Sequence, residues 1–285
     1  MAFAVVHIVA TVCCYTTQGG YTMYVAIDDR ILVELHRAAR LAGRPGVVVP
    51  SEDLRATKQQ SGDQRVRNAL RRLVSSGRAI SVRQDLLVLP DETGLVRLGV
   101  AEIIDAVAPT PYLITGARAL EAHHLTDQHS FSLVTFVPRR TREFTFRGEK
   151  AVFVTTRTAR IWGWVDEGPQ VAVPERALLD AVASAHNGVP LWMAVAALHT
   201  ATQRDAGFIN RLAAAATRYD SAAVSRRLGL LVESACGSEA AAPFRGLIGK
   251  SRTPVLLRAG GVLRGEVDPT WRVVVNASTQ KEYEH

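Results

Sequence analysis

The chain has 285 residues, of which 47% are hydrophobic and 21% are charged. This composition excludes an intrinsically disordered chain, and the length predicts two domains, or one small module and a larger body. The formal net charge is +7, and only four of the 34 basic residues are Lys. A positive net charge predicts attraction to polyanions. The preference for Arg over Lys adds a planar donor fork, which suits phosphates and guanine edges.

The cysteine content bears on the cellular compartment. Cys13, Cys14 and Cys236 are too few for a disulfide framework, and their spacing offers no metal knuckle. We therefore expect a protein of the reducing cytoplasm, without a structural metal.

Residues 1–22 form an apolar N-terminal extension. Between residues 2 and 15 only His7 and Thr11 interrupt the apolar run, which is too short to span a bilayer. The run also lacks the preceding Lys or Arg of a signal peptide. Three interpretations stay open: translation that starts at Met23, a packed N-terminal strand, and export. We adopt the first, and we expect no membrane partner.

The next part of the chain shows the element order of a winged helix-turn-helix. Its predicted elements are a helix over 28–42, a strand over 47–49, a helix over 51–57, a polar turn over 59–62, a helix over 63–76 and two strands between 79 and 89. Each element alone is weak evidence for this fold. Their succession within about 65 residues is considerably stronger evidence, because the separate local signals agree on one fold. The sequence therefore predicts a DNA-binding module of this class.

The third helix of this module has two distinct faces. Val66, Leu70, Leu73 and Val74 form one apolar stripe that can pack on the other helices. The residues expected on the opposite side, toward DNA, are Gln64, Arg65, Asn68, Arg71 and Arg72. Arg pairs with guanine, and Asn or Gln pairs with adenine, so this face predicts a recognition helix. The alternative is a solvated basic face.

The charge distribution supports the same prediction. Residues 44–83 carry nine basic and three acidic side chains, a local charge of +6. Arg55 and Lys58 are expected to contact the DNA backbone, which positions the module without reading sequence. Arg83, at the predicted wing tip, is expected to reach a phosphate or the minor groove, or else to be a solvated turn residue. We expect the partner to be promoter DNA, with an inverted-repeat operator.

The remainder of the chain predicts a larger α+β domain. Residues 90–94 have the composition of a domain boundary, so we expect a winged helix over 23–93 and the larger domain over 94–285. Its predicted elements are helices over 94–108 and 115–124, strands over 131–137, 143–146 and 152–155, helices over 174–185, 191–201, 208–217 and 222–235, and an isolated strand over 271–275. The fold class is therefore α+β.

No arrangement of residues in the sequence predicts catalysis or a cofactor. Residues 249–251, Gly-Lys-Ser, resemble the end of a phosphate-binding loop, but Phe244 stands where that loop needs its first Gly. A histidine-rich cluster lacks the spacing of a zinc-binding helix, and it consists of His123, His124, Asp127 and His129. We therefore expect that the protein is not an enzyme.

Several segments from the wing onward share their pattern with one family. They are 86–90 at the end of the wing, 115–120 with 123–126, Val-Ala-Val-Pro-Glu-Arg-Ala-Leu-Leu-Asp at 171–180, Arg-Arg-Leu-Gly-Leu-Leu at 226–231, and Trp-Arg-Val-Val-Val-Asn at 271–276. Together these segments resemble the AbiEi-type antitoxins of type IV toxin–antitoxin systems, and 171–180 is the most specific of them. The wing departs from the family at 84–86, Gln-Asp-Leu, where a Gly-containing turn and an aromatic residue are expected.

The resemblance implies a repressor of its own promoter whose C-terminal domain counteracts a nucleotidyltransferase-like toxin, with no direct contact required. It makes Arg118, Glu175, Arg176 and Asp180 candidate residues of the antitoxin domain. A structural interpretation of the last three stays open, in which Arg176 and Asp180 pair on the surface of a helix at i, i+4 spacing.

A different class of function is the alternative. In it the chain is a ligand-sensing winged-helix regulator without a toxin partner, and residues 94–276 bind a small molecule. An enzyme acting on nucleic acid would need clustered carboxylates or a nucleophile beside its base, and the sequence shows no compact set of either.

Overall fold

The computed structural model describes residues 27–91, 93–184, 187 and 189–279, and the chain divides into two units after Gly99. The fold class is α+β, as predicted. The predicted apolar extension over 1–22 lies outside the described residues. The division falls six residues after the boundary expected at Thr93.

The described residues of the first unit form the predicted elements, except that the helix expected over 51–57 is divided in two at Leu54. These are α1 (Ile27–Leu41), β1 (Val47–Val48), α2 (Pro50–Asp53), α3 (Arg55–Ser61), α4 (Asp63–Ser75), β2 (Ile80–Arg83) and β3 (Leu86–Val88). The three strands form an antiparallel sheet in the order β1-β3-β2. Apolar residues one turn apart on α1 and α4 bury against each other, and they include Ile31, Leu35, Val66, Ala69 and Leu73.

Two local predictions in this unit need correction. The polar turn expected over 59–62 is only Gly62, because residues 59–61 continue α3. Gly62 has φ +83°, a conformation that Gly adopts without strain, so this one residue suffices to end α3 and start α4. The hairpin of β2 and β3, which was predicted as the wing, forms without the expected Gly, and its turn over Gln84 and Asp85 follows a register shift between Ser81 and Arg83.

The second unit is larger. Its described elements are α5 (Val100–Val107), β4 (Leu113–Thr115), α6 (Ala117–Ala122), β5 (Ser132–Val137), β6 (Phe144–Phe146), β7 (Glu149–Thr155), α7 (Pro174–Ala183), α8 (Leu191–Arg204), α9 (Phe208–Tyr219), α10 (Ala222–Cys236), α11 (Ala242–Arg245), β8 (Val255–Leu256), β9 (Glu266–Asp268) and β10 (Val273–Val275). The four helices predicted after residue 174 are all present. The strand predicted as isolated is not isolated, since β10 pairs with β8 and β9.

The main sheet of the second unit has the strand order β4-β5-β7-β6. β5 and β7 are parallel, and Val137 pairs with Thr155 at their carboxyl ends. The chain that follows β5 and the chain that follows β7 therefore leave the sheet at the same edge. β4 and β6 pair antiparallel on the two outer sides.

Helix α10 packs on the C-terminal part of the chain, which includes the second, smaller sheet. Trp271 is fully buried, and its ring lies on the backbone of Gly229. A Cβ added at Gly229 would lie 2.0 Å from Trp271 Cζ3, so only Gly fits at this position. Arg226 and Arg227, on the same helix, donate to the carbonyls of Ile248, Thr253 and Leu256 at 2.7–2.9 Å. The segment 226–231 thus holds the C-terminal part of the chain in place.

The change Gly229→Ala is expected to lower the free energy of unfolding by about 1–3 kcal/mol, because the new methyl overlaps a buried ring. Gly246→Ala is the matched control, since a Cβ at Gly246 meets nothing within 4 Å and φ is negative. Urea unfolding of both variants checks the prediction. Equal stability of the two variants would contradict the packing described for Trp271.

Candidate functional site

The exposed face of α4 carries four of the residues predicted to meet DNA. Gln64, Arg65 and Arg71 are exposed, and Asn68 is half-buried. Gln64 Nε2 donates to Asn68 Oδ1 at 3.0 Å, which orders these two amides relative to each other. Among the described residues, no side chain pairs with Arg65 or Arg71. Their guanidinium groups are therefore available to a ligand.

Arg72 is placed differently from its predicted role. Its guanidinium donates two hydrogen bonds to Asp28 at the start of α1, from Nε at 2.8 Å and from Nη2 at 2.7 Å. The hydrogen bond from Arg72 holds the pKa of Asp28 below its ordinary value. Arg78 pairs with the neighbouring Asp29 through a single hydrogen bond from Nη2. The acidic first turn of α1 thus occupies two arginines of the basic segment, and the fork of Arg72 is not directed at a base edge.

Three basic residues outside α4 were also predicted to contact DNA, and they differ in whether another side chain of the protein already binds them. Arg55 is exposed at the start of α3, with no partner among the described residues. Lys58 Nζ lies 3.9 Å from Asp63 Oδ1. Arg83 is half-buried and its Nε donates to Asp85 Oδ1 at 2.7 Å, so the residue predicted for the wing tip makes a local ion pair.

Sequence reasoning missed Arg67. This exposed residue donates from Nη2 to Gln64 Oε1 at 2.9 Å and pairs with Asp63. It thereby fixes the amide of Gln64 so that the Nε2 group faces Asn68. The sequence could have indicated this contact, because Arg67 lies three residues after Gln64 and side chains at i and i+3 are neighbours on a helix.

In the second unit, Arg176 and Asp180 form a buried ion pair on α7. Arg176 is 1% exposed and Asp180 is 0% exposed, and Arg176 Nε donates to Asp180 Oδ2 at 2.9 Å. The interpretation of this pair as a surface pair is wrong, because α7 is covered on every side that these residues occupy. The i, i+4 spacing is the same on a buried helix as on an exposed one, so it could not distinguish the two.

Three other residues form hydrogen bonds with Asp180. Thr115 Oγ1 donates to Oδ2 at 2.7 Å, and the Tyr219 hydroxyl donates to Oδ1 at 3.1 Å. Asn187 Nδ2 donates to the backbone carbonyl of the same residue at 2.6 Å. Burial raises the pKa of Asp180, while the charge of Arg176 opposes this shift. Burial also raises the pKa of Tyr219, whose hydroxyl therefore stays a donor.

The other side of Arg176 is enclosed by aromatic rings. Its Cζ lies 4.6 Å from the ring centre of Trp162, 5.0 Å from Tyr219 and 5.8 Å from Phe136. Nη1 donates to the carbonyl of Arg160 at 2.9 Å. Cation–π attraction is strongest where the cation is desolvated, as it is here. The Nε and Nη1 groups and the planar face of this guanidinium are therefore used inside the fold.

Glu175 and Arg118 are closer to the surface. Glu175 is 8% exposed and accepts from Arg211 Nε at 2.7 Å, while Arg211 Nη1 reaches Asp205 at 2.7 Å. Arg118 is half-buried in a second cluster, which is formed with Glu121, His129 and Glu149 at 2.8–3.4 Å. The structure therefore does not bring the four antitoxin candidates into one site.

The Arg118 cluster brings two carboxylates to one Arg and one His. His129 Nδ1 lies 2.8 Å from Glu121 Oε1, and hydrogen bonds from His129 and Ser130 hold the pKa of Glu121 below its ordinary value although burial opposes this. Glu149 Oε1 lies 3.2 Å from Arg118 and 3.3 Å from His129, which permits charge attraction without a well-directed hydrogen bond. Two carboxylates facing an Arg and a His make a polar joint between α6 and β7.

The described residues contain no group of three or more His, Cys, Asp and Glu side chains arranged to hold a metal ion. The histidine-rich cluster is divided: His123 Nε2 lies 2.8 Å from the carbonyl of Ala172, and His129 belongs to the Arg118 cluster. No helix within the described ranges is both long and apolar enough to cross a membrane.

Comparison with known proteins yields a structural similarity. The chain resembles the crystal structure of the RV2827C protein from Mycobacterium tuberculosis, with a TM-score of 0.54 and 13% sequence identity. The match covers 84% of this chain and 89% of the other. No family model matches the chain, and no curated protein matches it. At this identity the similarity shows a shared α+β fold and nothing of function.

The change Arg176→Leu is expected to lower the free energy of unfolding by about 3–5 kcal/mol, because it leaves Asp180 buried without its cation. Adding Asp180→Asn should restore part of this loss, since a neutral amide accepts from one of the Thr115 and Tyr219 hydroxyls and donates to the other. Chemical denaturation of the wild type, the single variant and the double variant measures the effect.

This destabilisation by Arg176→Leu should depend on pH. The folded pKa of Asp180 is raised above its ordinary value of 3.8, so the folded state binds the proton more tightly, and stability falls as pH rises through the window above about 4. Loss of the cation raises this pKa further. The variant is therefore expected to lose less stability, relative to wild type, at pH 5 than at pH 8. An equal loss at both pH values would contradict a buried charge.

Proposed function

We propose that this protein is a DNA-binding transcriptional repressor and that its first unit is a winged helix-turn-helix. The observation that carries the proposal is the exposed face of α4, where Arg65 and Arg71 lie beside the ordered amides of Gln64 and Asn68. The helix is anchored by its buried face, so the polar face is presented on a rigid element. The pairing order β1-β3-β2 supports the same assignment, because it places a hairpin after the recognition helix.

The proposed contacts follow from the side chains that remain available. Arg65 and Arg71 suit guanine edges or phosphates, Gln64 and Asn68 suit adenine, and Arg55 suits the backbone. Arg67 supports Gln64 rather than the DNA. An operator with two half-sites, each taking one copy of the module, is the arrangement that we propose for the promoter.

We further propose that the protein works in the cytoplasm as the antitoxin to a nucleotidyltransferase-like toxin encoded beside it. The support is the resemblance of five segments to AbiEi-type antitoxins. Arg176 and Asp180, in the most specific of these segments, are buried, so we assign them to folding and not to toxin contact. A protective role then falls to exposed residues of the second unit or to an effect that needs no contact.

Replacement of Arg65 or Arg71 by Ala is expected to cost about 1–3 kcal/mol of operator binding for each side chain that reads a base edge. Fluorescence anisotropy on the native promoter and on a scrambled duplex measures affinity and specificity. Arg37→Ala, an exposed Arg on α1, is the matched control. Arg72→Ala should lower the melting temperature because it removes the pair with Asp28. Unchanged operator affinity of the Arg65→Ala, Arg71→Ala variant would refute this role of α4.

Repression and protection from the toxin are expected to separate in the full-length chain. The Arg65→Ala, Arg71→Ala variant should fail to repress the promoter and still restore growth when the toxin is expressed from an independent promoter. Promoter-reporter assays and growth curves measure the two effects. Loss of protection in this variant, with its level in the cell unchanged, would place protection in repression alone. Wild-type chain that gives no protection would favour the ligand-sensing alternative.

A further inference from the structure

The positive charge of the chain lies in two segments and not in one. Residues 139–160 carry seven basic side chains and two acidic ones, a local charge of +5. Residues 44–83 contribute +6 to the total of +7, so the residues outside both segments carry a net charge of −4. The first basic segment belongs to the first unit, and the second lies wholly in the second unit.

The parallel pair β5 and β7 gathers part of this second segment at one sheet edge. Val137 and Thr155 pair at the carboxyl ends of these strands, and the chain leaves the sheet there in both cases. Four exposed arginines follow the two strands, and we call them the basic rim: Arg139, Arg140, Arg142 and Arg157. Residues separated by up to 18 positions in the sequence thus follow two strand ends that lie side by side.

Two residues of the basic rim, Arg140 and Arg142, line an open cleft of about 660 Å³. The residues that line this cleft are Arg140, Thr141, Arg142, Glu143, Phe153 and Thr155. Glu143 is engaged by Lys150 at 2.7 Å, so its charge is compensated. Within the described residues, no side chain pairs with Arg139, Arg140 or Arg157. These three guanidinium groups therefore have no counter-ion among the described side chains and are available to an anionic ligand.

The chemistry of this surface favours nucleic acid over a protein partner. Arg carries a fork that matches phosphate oxygens, and a half-buried aromatic ring, Phe153, lies in the cleft. The large exposed apolar side chains recorded for the described residues lie elsewhere, before residue 132 or after residue 164. A protein interface needs an apolar centre, whereas nucleic-acid interfaces are polar and strongly positive.

We propose that the basic rim binds the phosphodiester backbone of a nucleic acid, which gives the second unit a nucleic-acid contact of its own. No Asn or Gln accompanies the arginines in the cleft, so the contact is independent of base sequence. This site is separate from the face of α4 and does not depend on the repressor proposal.

The test compares two full-length variants that lose the same charge. The rim variant carries Arg139→Gln, Arg140→Gln and Arg157→Gln. The control variant carries Arg252→Gln, Arg258→Gln and Arg264→Gln, which are exposed arginines of the same unit outside the rim. Both sets are placed in the Arg65→Ala, Arg71→Ala background and in the wild-type background. The ligands are a duplex DNA of unrelated sequence, a single-stranded DNA and an RNA of equal length.

The measured quantity is the slope of log binding constant against log salt concentration. Each phosphate contact contributes about 0.9 to this slope for duplex DNA and about 0.7 for single strands. The rim variant is expected to reduce the slope by about 2–3 on its preferred ligand and to weaken binding at low salt by about tenfold or more. The control variant should retain the wild-type slope. The ligand with the largest change identifies the form of nucleic acid.

Three results would overturn the proposal. The first is a rim variant with an unchanged slope on all three ligands and an unchanged melting temperature. The second is an equal loss of slope in the rim and control variants, which would reduce the effect to net charge. The third is intact nucleic-acid binding with loss of protection from the toxin, which would indicate an acidic protein partner. Operator binding that survives the α4 changes but not the rim changes would refute the role of α4 alone.

Discussion

The second unit depends on the buried pair of Arg176 and Asp180. Desolvation of two charges costs several kcal/mol for each ion, and this cost is offset only when every remaining donor and acceptor is satisfied. Here the partners come from distant parts of the chain: Thr115 from β4, Tyr219 from α9 and the carbonyl of Arg160 from the loop before α7. The pair is therefore complete only when α7, the main sheet and α9 have assembled, which favours one arrangement of the unit over looser alternatives.

The burial of this pair changes what the family resemblance means. The resemblance made Glu175, Arg176 and Asp180 of segment 171–180 candidate functional residues, yet all three are buried. The segment 226–231 is similar, since Arg226 and Arg227 bind backbone carbonyls and Gly229 admits Trp271. These segments hold helices, sheet and C-terminal chain together. The resemblance therefore predicts a fold directly, and it predicts a function only through the surfaces that this fold presents.

The arginines of this protein fall into two groups, those that pair with carboxylates of the protein and those that do not. In the first unit, Asp28 and Asp29 neutralise Arg72 and Arg78, so the basic segment presents fewer free guanidinium groups than its net charge suggests. At the edge of the main sheet, Arg139, Arg140 and Arg157 lack such partners among the described residues. The availability of each Arg, and not the number of them, decides where a polyanion can be held.

Local periodicity determined much of this protein from the sequence alone. The boundaries of α1 and α4, the two faces of α4 and the α+β class follow from spacings of three and four residues, which any helix imposes. Tertiary structure decided the rest. Asp28 reaches Arg72 across 44 positions, β8 is too short to show a period, and the i, i+4 spacing of Arg176 and Asp180 does not reveal burial. The basic rim exists only because β5 pairs parallel with β7. Such contacts join residues far apart in the chain, and no local pattern encodes which of them will meet.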